Sequence, residues 1–162
     1  MLDEILTIGV YGLTSDEFFN AIAHSGTDCF VDIRQRRGLR GSQYAFANSA
    51  RLQSELARRG VVYVHIKELA PTDAVRQAQK DADAMYGVGK RQRESLGEAF
   101  KMSYCLSCLQ EWSVEAFVHA LPLGVRRPML FCVERMPQAC HRSLAAEWIS
   151  KGLGISVKHV GA

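Results

Sequence analysis

The stretch MLFCVERMPQACHRSLAAEW, residues 129–148, decides how this chain is read. MLFCV (129–133) is a short apolar run of strand type, and a polar loop separates it from a segment of helical composition. That helix is expected to run through Trp148 and Ile149 and to stop at Gly152. A strand feeding directly into a helix is half of a parallel crossover, which points to an α/β chain. The tripeptide Cys140-His141-Arg142 falls at the mouth of the helix, so the rest of the sequence must say what else reaches that point.

Working outward, the same alternation recurs. ILTIGV (5–10), CFVDI (29–33), VVYVHI (61–66) and ISVKHV (155–160) are four further strand-type runs. Thr14 and Glu17 have capping-box spacing ahead of a helix that ends at Gly26, and Asn48 or Ser49 can cap a helix carrying Leu52 and Leu56 and ending at Gly60. The middle of the chain is helical: TDAVRQAQKDADAMY, then RESLGEAFKMSYCLSCLQEW, with GVGK (87–90) between them and Ser113 capping a further short helix. The expected fold is a three-layer, Rossmann-like α/β domain over residues 1–162. Its mostly parallel sheet of about five strands would carry helices on both faces.

The totals fit that fold and exclude other classes. A chain of 162 residues with 48% apolar and 23% charged residues is globular in composition and long enough for one real core. No apolar run approaches the roughly 20 residues of a membrane span, and the acidic start MLDEILTIGV lacks the basic opening of a secretory signal. Five cysteines, an odd and sparse set, argue against a disulfide scaffold and for a reducing, cytoplasmic setting. A net charge of +3 does not by itself call for nucleic acid, but its distribution is uneven. Arg34, Arg36, Arg37 and Arg40 crowd into RQRRGLRG, and Lys90, Arg91 and Arg93 into GVGKRQRE, the latter read equally well as a solvated face.

Ligands of parallel sheets bind outside the carboxyl ends of the strands. Gly9 and Tyr11 leave the first strand, Asp32 and Arg34 the second, and His65 and Glu68 the third; Glu134, Cys140, His141 and Arg142 follow the fourth. Four strand ends thus bring polar, reactive side chains to one rim. The first turn of a helix offers unpaired N–H groups and partial positive charge, which stabilise a thiolate at Cys140. His141 and Arg142 act in the same direction, although on a helix the two cannot point the same way. Cys140, Glu134, Asp32 and His141 are therefore the candidate catalytic residues. Gly9, Tyr11, Arg34, Arg36, Arg37, Arg40, Tyr44, Phe46, His65 and Arg142 are the candidate substrate contacts, with the Tyr44 and Phe46 rings available to stack on a base.

Each assignment has a plainer alternative. Arg142 can pair with Glu134 in a structural ion pair, Asp32 and Arg34 can brace the sheet edge, and His65 can be a packing residue. Cys132 reads as a core residue inside its strand. CLSC (105–108) lies within a helical run where Phe100, Tyr104 and Cys108 recur every four residues, so packing is expected there rather than redox or zinc chemistry. No metal and no cofactor are assigned. Cys132, Cys140 and His141 could in principle hold a metal, but that reading is not favoured.

At these residues the chain resembles the domain of unknown function 488 family. The resemblance is carried by Thr7-Ile8-Gly9, Asp32-Ile33-Arg34, the segment Ser42 to Ala47, Gly60 to His65 with Glu68-Leu69, Cys132-Val133-Glu134, Cys140-His141-Arg142 and His159-Val160. It spans nearly the whole chain and implies an α/β domain with a shared polar site, but no reaction. Val10-Tyr11-Gly12 and the arginine-rich loop depart from the family pattern and mark a divergent subgroup. The leading functional expectation is an enzyme acting on a phosphorylated or otherwise anionic substrate, a nucleotide or a nucleic-acid base, by thiol- or carboxylate-assisted transfer or hydrolysis. The alternative is a non-catalytic nucleotide- or nucleic-acid-binding module using the same rim. No membrane partner is expected, and the oligomeric state is left open.

Overall fold

The computed structural model describes residues 1–89 and 92–161. Five strands form one sheet: β1 (Glu4–Ile8), β2 (Cys29–Asp32), β3 (Val62–His65), β4 (Pro128–Phe131) and β5 (Ser156–Val160). Their order is β3-β2-β4-β1-β5, and every neighbouring pair is parallel. The helices are α1 (Ser15–Ser25), α2 (Ser49–Arg58), α3 (Asp73–Tyr86), α4 (Glu98–Tyr104), α5 (Val114–Ala120) and α6 (His141–Leu153). No helix among the described residues is long and apolar enough to cross a membrane.

The three central strands, β2, β4 and β1, are buried on both faces because their side chains alternate between two apolar clusters, while the edge strands β3 and β5 stay partly exposed. Leu6, Ile8, Phe30, Met129 and Phe131 meet Phe18, Phe19 and Ile22 of α1 and Leu52 and Leu56 of α2. Ile5, Cys29, Val31 and Leu130 meet Val75 of α3, Phe100 and Tyr104 of α4, Phe117 of α5 and Ala145, Ala146 and Ile149 of α6. Three layers result, as the sequence suggested. The chain leaves β2 through α2 on one face, whereas it leaves the adjacent β4 through α6 on the other. Neighbouring strands whose connections diverge in this way open a crevice at their carboxyl ends, and here that crevice lies between β2 and β4.

Several boundaries differ from expectation, each for a local reason. The helix after β4 does not stop at Gly152: it continues to Leu153 and is closed by Gly154, whose φ of 67° is the left-handed value glycine accepts without strain. Gly152 serves packing instead, since a Cβ there would stand 2.7 Å from Cγ2 of Val114 on α5. The long helix expected over 93–112 begins only at Glu98 and ends in a π-helical turn, Cys105–Leu109, in which the Gln110 N–H donates to the Cys105 carbonyl at 3.0 Å. Asn48 occupies the N-cap of α2, but its side-chain oxygen accepts from the Leu39 N–H at 2.6 Å and so ties down the arginine-rich loop rather than capping the helix. Cys108 is buried and donates to the Ala70 carbonyl, in keeping with a packing role.

Candidate functional site

The β4–α6 loop is held from below by the β1 end. The N–H groups of Val10 and Tyr11 donate to the Val133 carbonyl at 3.2 and 2.9 Å. At Gly9 a Cβ would lie 2.0 Å from the Glu134 carbonyl oxygen, so only glycine admits the loop at this height. Gly9 is thus a packing requirement of the site rather than a ligand contact. The guanidinium of Arg142, 1% exposed, donates Nη1 to the Glu134 carbonyl and Nη2 to the Arg135 carbonyl at 3.0 Å. It braces the loop backbone from behind. Both sequence readings of Arg142 are corrected by this: it neither lines the cleft as an anion contact nor pairs with the Glu134 carboxylate.

A turn at Pro137–Ala139 then delivers Cys140 as the N-cap of α6. The His141 ring donates from Nε2 to the Ile33 carbonyl at 3.0 Å, because a carbonyl can only accept. That bond orients the ring and turns Nδ1 toward Cys140 Sγ, 3.9 Å away. The Cys132 thiol lies beside both, its Sγ bonded to Glu134 Oε2 at 3.4 Å. Burial is the largest single influence on Cys140 and opposes ionisation. The hydrogen bond from Cys132 and the positive charge of His141 and Arg142 together outweigh it, leaving the thiol well below its ordinary range. Burial likewise pushes His141 down, but the Cys140 thiolate, aided by Glu134, raises it overall. The two shifts are mutual, each group favouring the charged form of the other.

From the β2 side, Asp32 is fully buried and accepts from the Arg34 backbone N–H (3.1 Å), from Arg34 Nε (2.9 Å) and Nη2 (2.8 Å), and from the Tyr63 hydroxyl (2.8 Å). With its oxygens taken, Asp32 orients Arg34 and is not placed as an acid or base. Arg34 lies flat over the Phe131 ring, 4.6 Å from Cζ to centroid. Its Nη1 is buried without a partner although the side chain lines the cleft. His65 Nε2 donates to the Arg34 carbonyl at 2.8 Å, which makes it a loop-fixing residue.

These residues surround a cleft of about 590 Å³ at the carboxyl edge of the sheet. Of the residues expected from sequence, Cys140, His141, Glu134, Arg34 and Arg36 line it. Arg37 and Arg40 are exposed elsewhere on their loop, Arg37 against the Tyr63 hydroxyl. Tyr44 and Phe46 are only 4% and 5% exposed; Phe46 packs with Phe18 and Phe19 and Tyr44 packs on Phe46, so their rings are not open to a base. The Tyr44 hydroxyl accepts from the Gly12 N–H at 2.9 Å, and Tyr11 packs on the Tyr44 ring. The aromatic stacking expectation is corrected accordingly.

The far wall comes from Asp73, Arg76, Gln77 and Lys80 of α3, together with Gln79, which the sequence reading passed over, and from Arg93 of the second basic cluster. Positions 73, 76, 77 and 80 follow the i, i+3, i+4, i+7 spacing of one helix face, the signal by which the wall was legible. Arg93 pairs with Asp83 and reaches Glu134 Oε1 at 3.5 Å, so it is built into the site rather than solvated. Lys90 and Arg91, the rest of that cluster, lie outside the described residues. Five cations against two carboxylates make the walls predominantly positive.

Fold and site together define an α/β protein with an all-parallel sheet and a cationic cleft over a buried Cys–His pair. A family model described as "Domain of unknown function DUF488" matches residues 14–149, and the chain belongs to that family. No curated protein and no solved structure matches it.

Proposed function

We propose that the chain is an enzyme that binds a small phosphorylated or otherwise anionic substrate in this cleft and acts on it by group transfer or hydrolysis through Cys140. The observation that carries the reading is the Cys140–His141 pair, its imidazole held by the Ile33 carbonyl, beneath positive walls that include the unpartnered Nη1 of Arg34. A volume of about 590 Å³ suits a nucleotide-sized molecule better than a duplex. With the Tyr44 and Phe46 rings engaged in the core, the charge of the substrate, more than base stacking, supplies its recognition.

In the covalent step the thiolate electron pair forms the S–substrate bond. The leaving group departs with its bonding pair and takes the proton held by the imidazolium. A second nucleophile, water or an acceptor, then breaks the S–substrate bond and returns a proton to the pair. In this reading Glu134, which lines the cleft with its carboxylate beside Cys132 and Arg93, assists that second nucleophile.

A second reading rests on one specific observation: Cys140 is only 1% exposed, which suits a binding module with a spectator thiol. The two separate on Cys140→Ser. An enzyme loses turnover on a nucleotide or sugar phosphate found by panel screening while still binding it, whereas a binding module is unchanged in every assay. Full activity of Cys140→Ser on such a substrate would end the covalent reading.

A further inference from the structure

We propose that Cys132, Cys140 and His141 form a binding site for a zinc-like, thiophilic divalent cation, with the fourth coordination position open to the cleft. Three independent features of the structure converge on it. The ligand atoms of these three buried residues lie within 4.8 Å of one another, the one such group among the described residues. A tetrahedral ion with bonds of about 2.3 Å to sulfur and about 2.1 Å to nitrogen holds S and N about 3.6 Å apart and two S atoms about 3.8 Å apart. The observed Cys140 Sγ–His141 Nδ1 separation of 3.9 Å needs little adjustment to meet this.

The second feature is the histidine's orientation. A metal-bound imidazole donates its other N–H to a backbone carbonyl or a carboxylate, which fixes tautomer and ring plane. His141 already does this through Nε2 and the Ile33 carbonyl, leaving Nδ1 as the atom that faces the thiols. The third is chemical. Two thiolates and an imidazole are the donor set that prefers soft or borderline ions over magnesium or calcium, and two thiolates cancel the charge of a divalent ion. Cys132 and Cys140 both line the cleft together with Glu134, so water or a substrate oxygen has access to the remaining position. Three protein ligands with one open position is the arrangement of catalytic rather than structural zinc.

Bound metal takes the Cys140 sulfur out of play as a nucleophile. That consequence rests on the proposed function, whereas the binding itself does not. The test is a Co²⁺ titration of reduced, chelator-treated protein, read by the thiolate-to-cobalt charge-transfer absorption and followed by displacement with Zn²⁺. One equivalent should bind. Cys132→Ser and Cys140→Ser should each weaken binding by at least the roughly 10–100-fold cost of losing an outer-shell partner, and Cys105→Ser should leave it unchanged. Circular dichroism of each variant shows whether it has folded.

Absence of the charge-transfer band, or a band undiminished in folded Cys132→Ser, overturns the site. A parallel measurement follows iodoacetamide labelling of Cys140 with and without Zn²⁺. Protection supports control of the thiol by metal. Unprotected labelling in Zn²⁺-loaded protein overturns that control alone. Slow labelling without metal counts against the thiol nucleophile while leaving the cobalt result to stand by itself.

Discussion

At the scale of single residues, the cleft depends on a buried ion pair of which only one partner, Arg34, lines it. Asp32 spends its oxygens on Arg34 and Tyr63, so Arg34 presents one unpartnered nitrogen among the cleft-lining groups. Removing one partner of such a pair leaves a buried, uncompensated charge. Asp32→Asn is therefore expected to destabilise the fold by about 3–5 kcal/mol, measured by denaturant unfolding. A loss under about 1 kcal/mol would show that Arg34 finds other support. Asp32 also shows what the sequence could and could not convey. Its place at a strand end was readable from the alternation of apolar runs, and the plainer reading of Asp32 and Arg34 as a brace was available. Which of the two faces the cleft depends on how the loop folds back, and pattern does not carry that. The same holds for Arg142, whose partners are main-chain carbonyls that any sequence would provide.

At the scale of elements, local signals were strong where one residue type has one physical use. Thr14 accepts from the Glu17 N–H at 3.2 Å and Glu17 returns a bond to the Thr14 N–H at 2.8 Å, the reciprocal capping box that the spacing predicted for α1. Thr14→Ala should cost about 1 kcal/mol at neutral pH, checked by urea unfolding. The Thr14 N–H, and then its hydroxyl, hold the Glu17 carboxyl below its ordinary value. A lowered value in the fold means that this contribution is complete above the range where an unfolded glutamate titrates and is lost as the pH falls through the folded value. Thr14→Ala keeps the residue-14 N–H and removes only the hydroxyl's share, so its penalty should shrink in part in acid; a penalty independent of pH would show that the hydroxyl adds nothing to holding the Glu17 charge. Signals failed where one residue type serves two ends. Gly152 and Gly154 both look like helix stops, but only the second has the left-handed φ, and the first is fixed by α5, which is distant in sequence order from the turn it shapes. The stripe of α3 that walls the cleft was legible in its spacing, yet a charged stripe on a helix is usually a solvated face, and only the sheet order brings this one over the crevice.

At the scale of the molecule, the parallel sheet gathers the loops of β2 and β4 at one edge, and the charges of α3 and Arg93 close over them. Cations in the cleft should matter to ligands and those outside it should not. Arg36→Ala with Lys80→Ala should weaken binding of an identified nucleotide or phosphate ester severalfold and flatten its salt dependence, while Arg40→Ala leaves both unchanged. Isothermal calorimetry at two ionic strengths reads this directly. Equal effects from all three would place the ligand on the open surface of the arginine loop, as the sequence alone suggested. The central claim, a reactive thiol under positive walls, is tested most directly by residue-resolved alkylation of the metal-free, reduced protein near neutral pH. Iodoacetate, an anion, is compared with neutral iodoacetamide. Cys29, whose thiol burial and Asp28 push up to about 12, and Cys108, also raised by burial, serve as internal references. The account predicts that Cys140 labels before both references and that the anionic reagent gains relative to the neutral one at Cys140 alone. Labelling of Cys140 no faster than Cys29 and Cys108, with no preference for the anion, would contradict it.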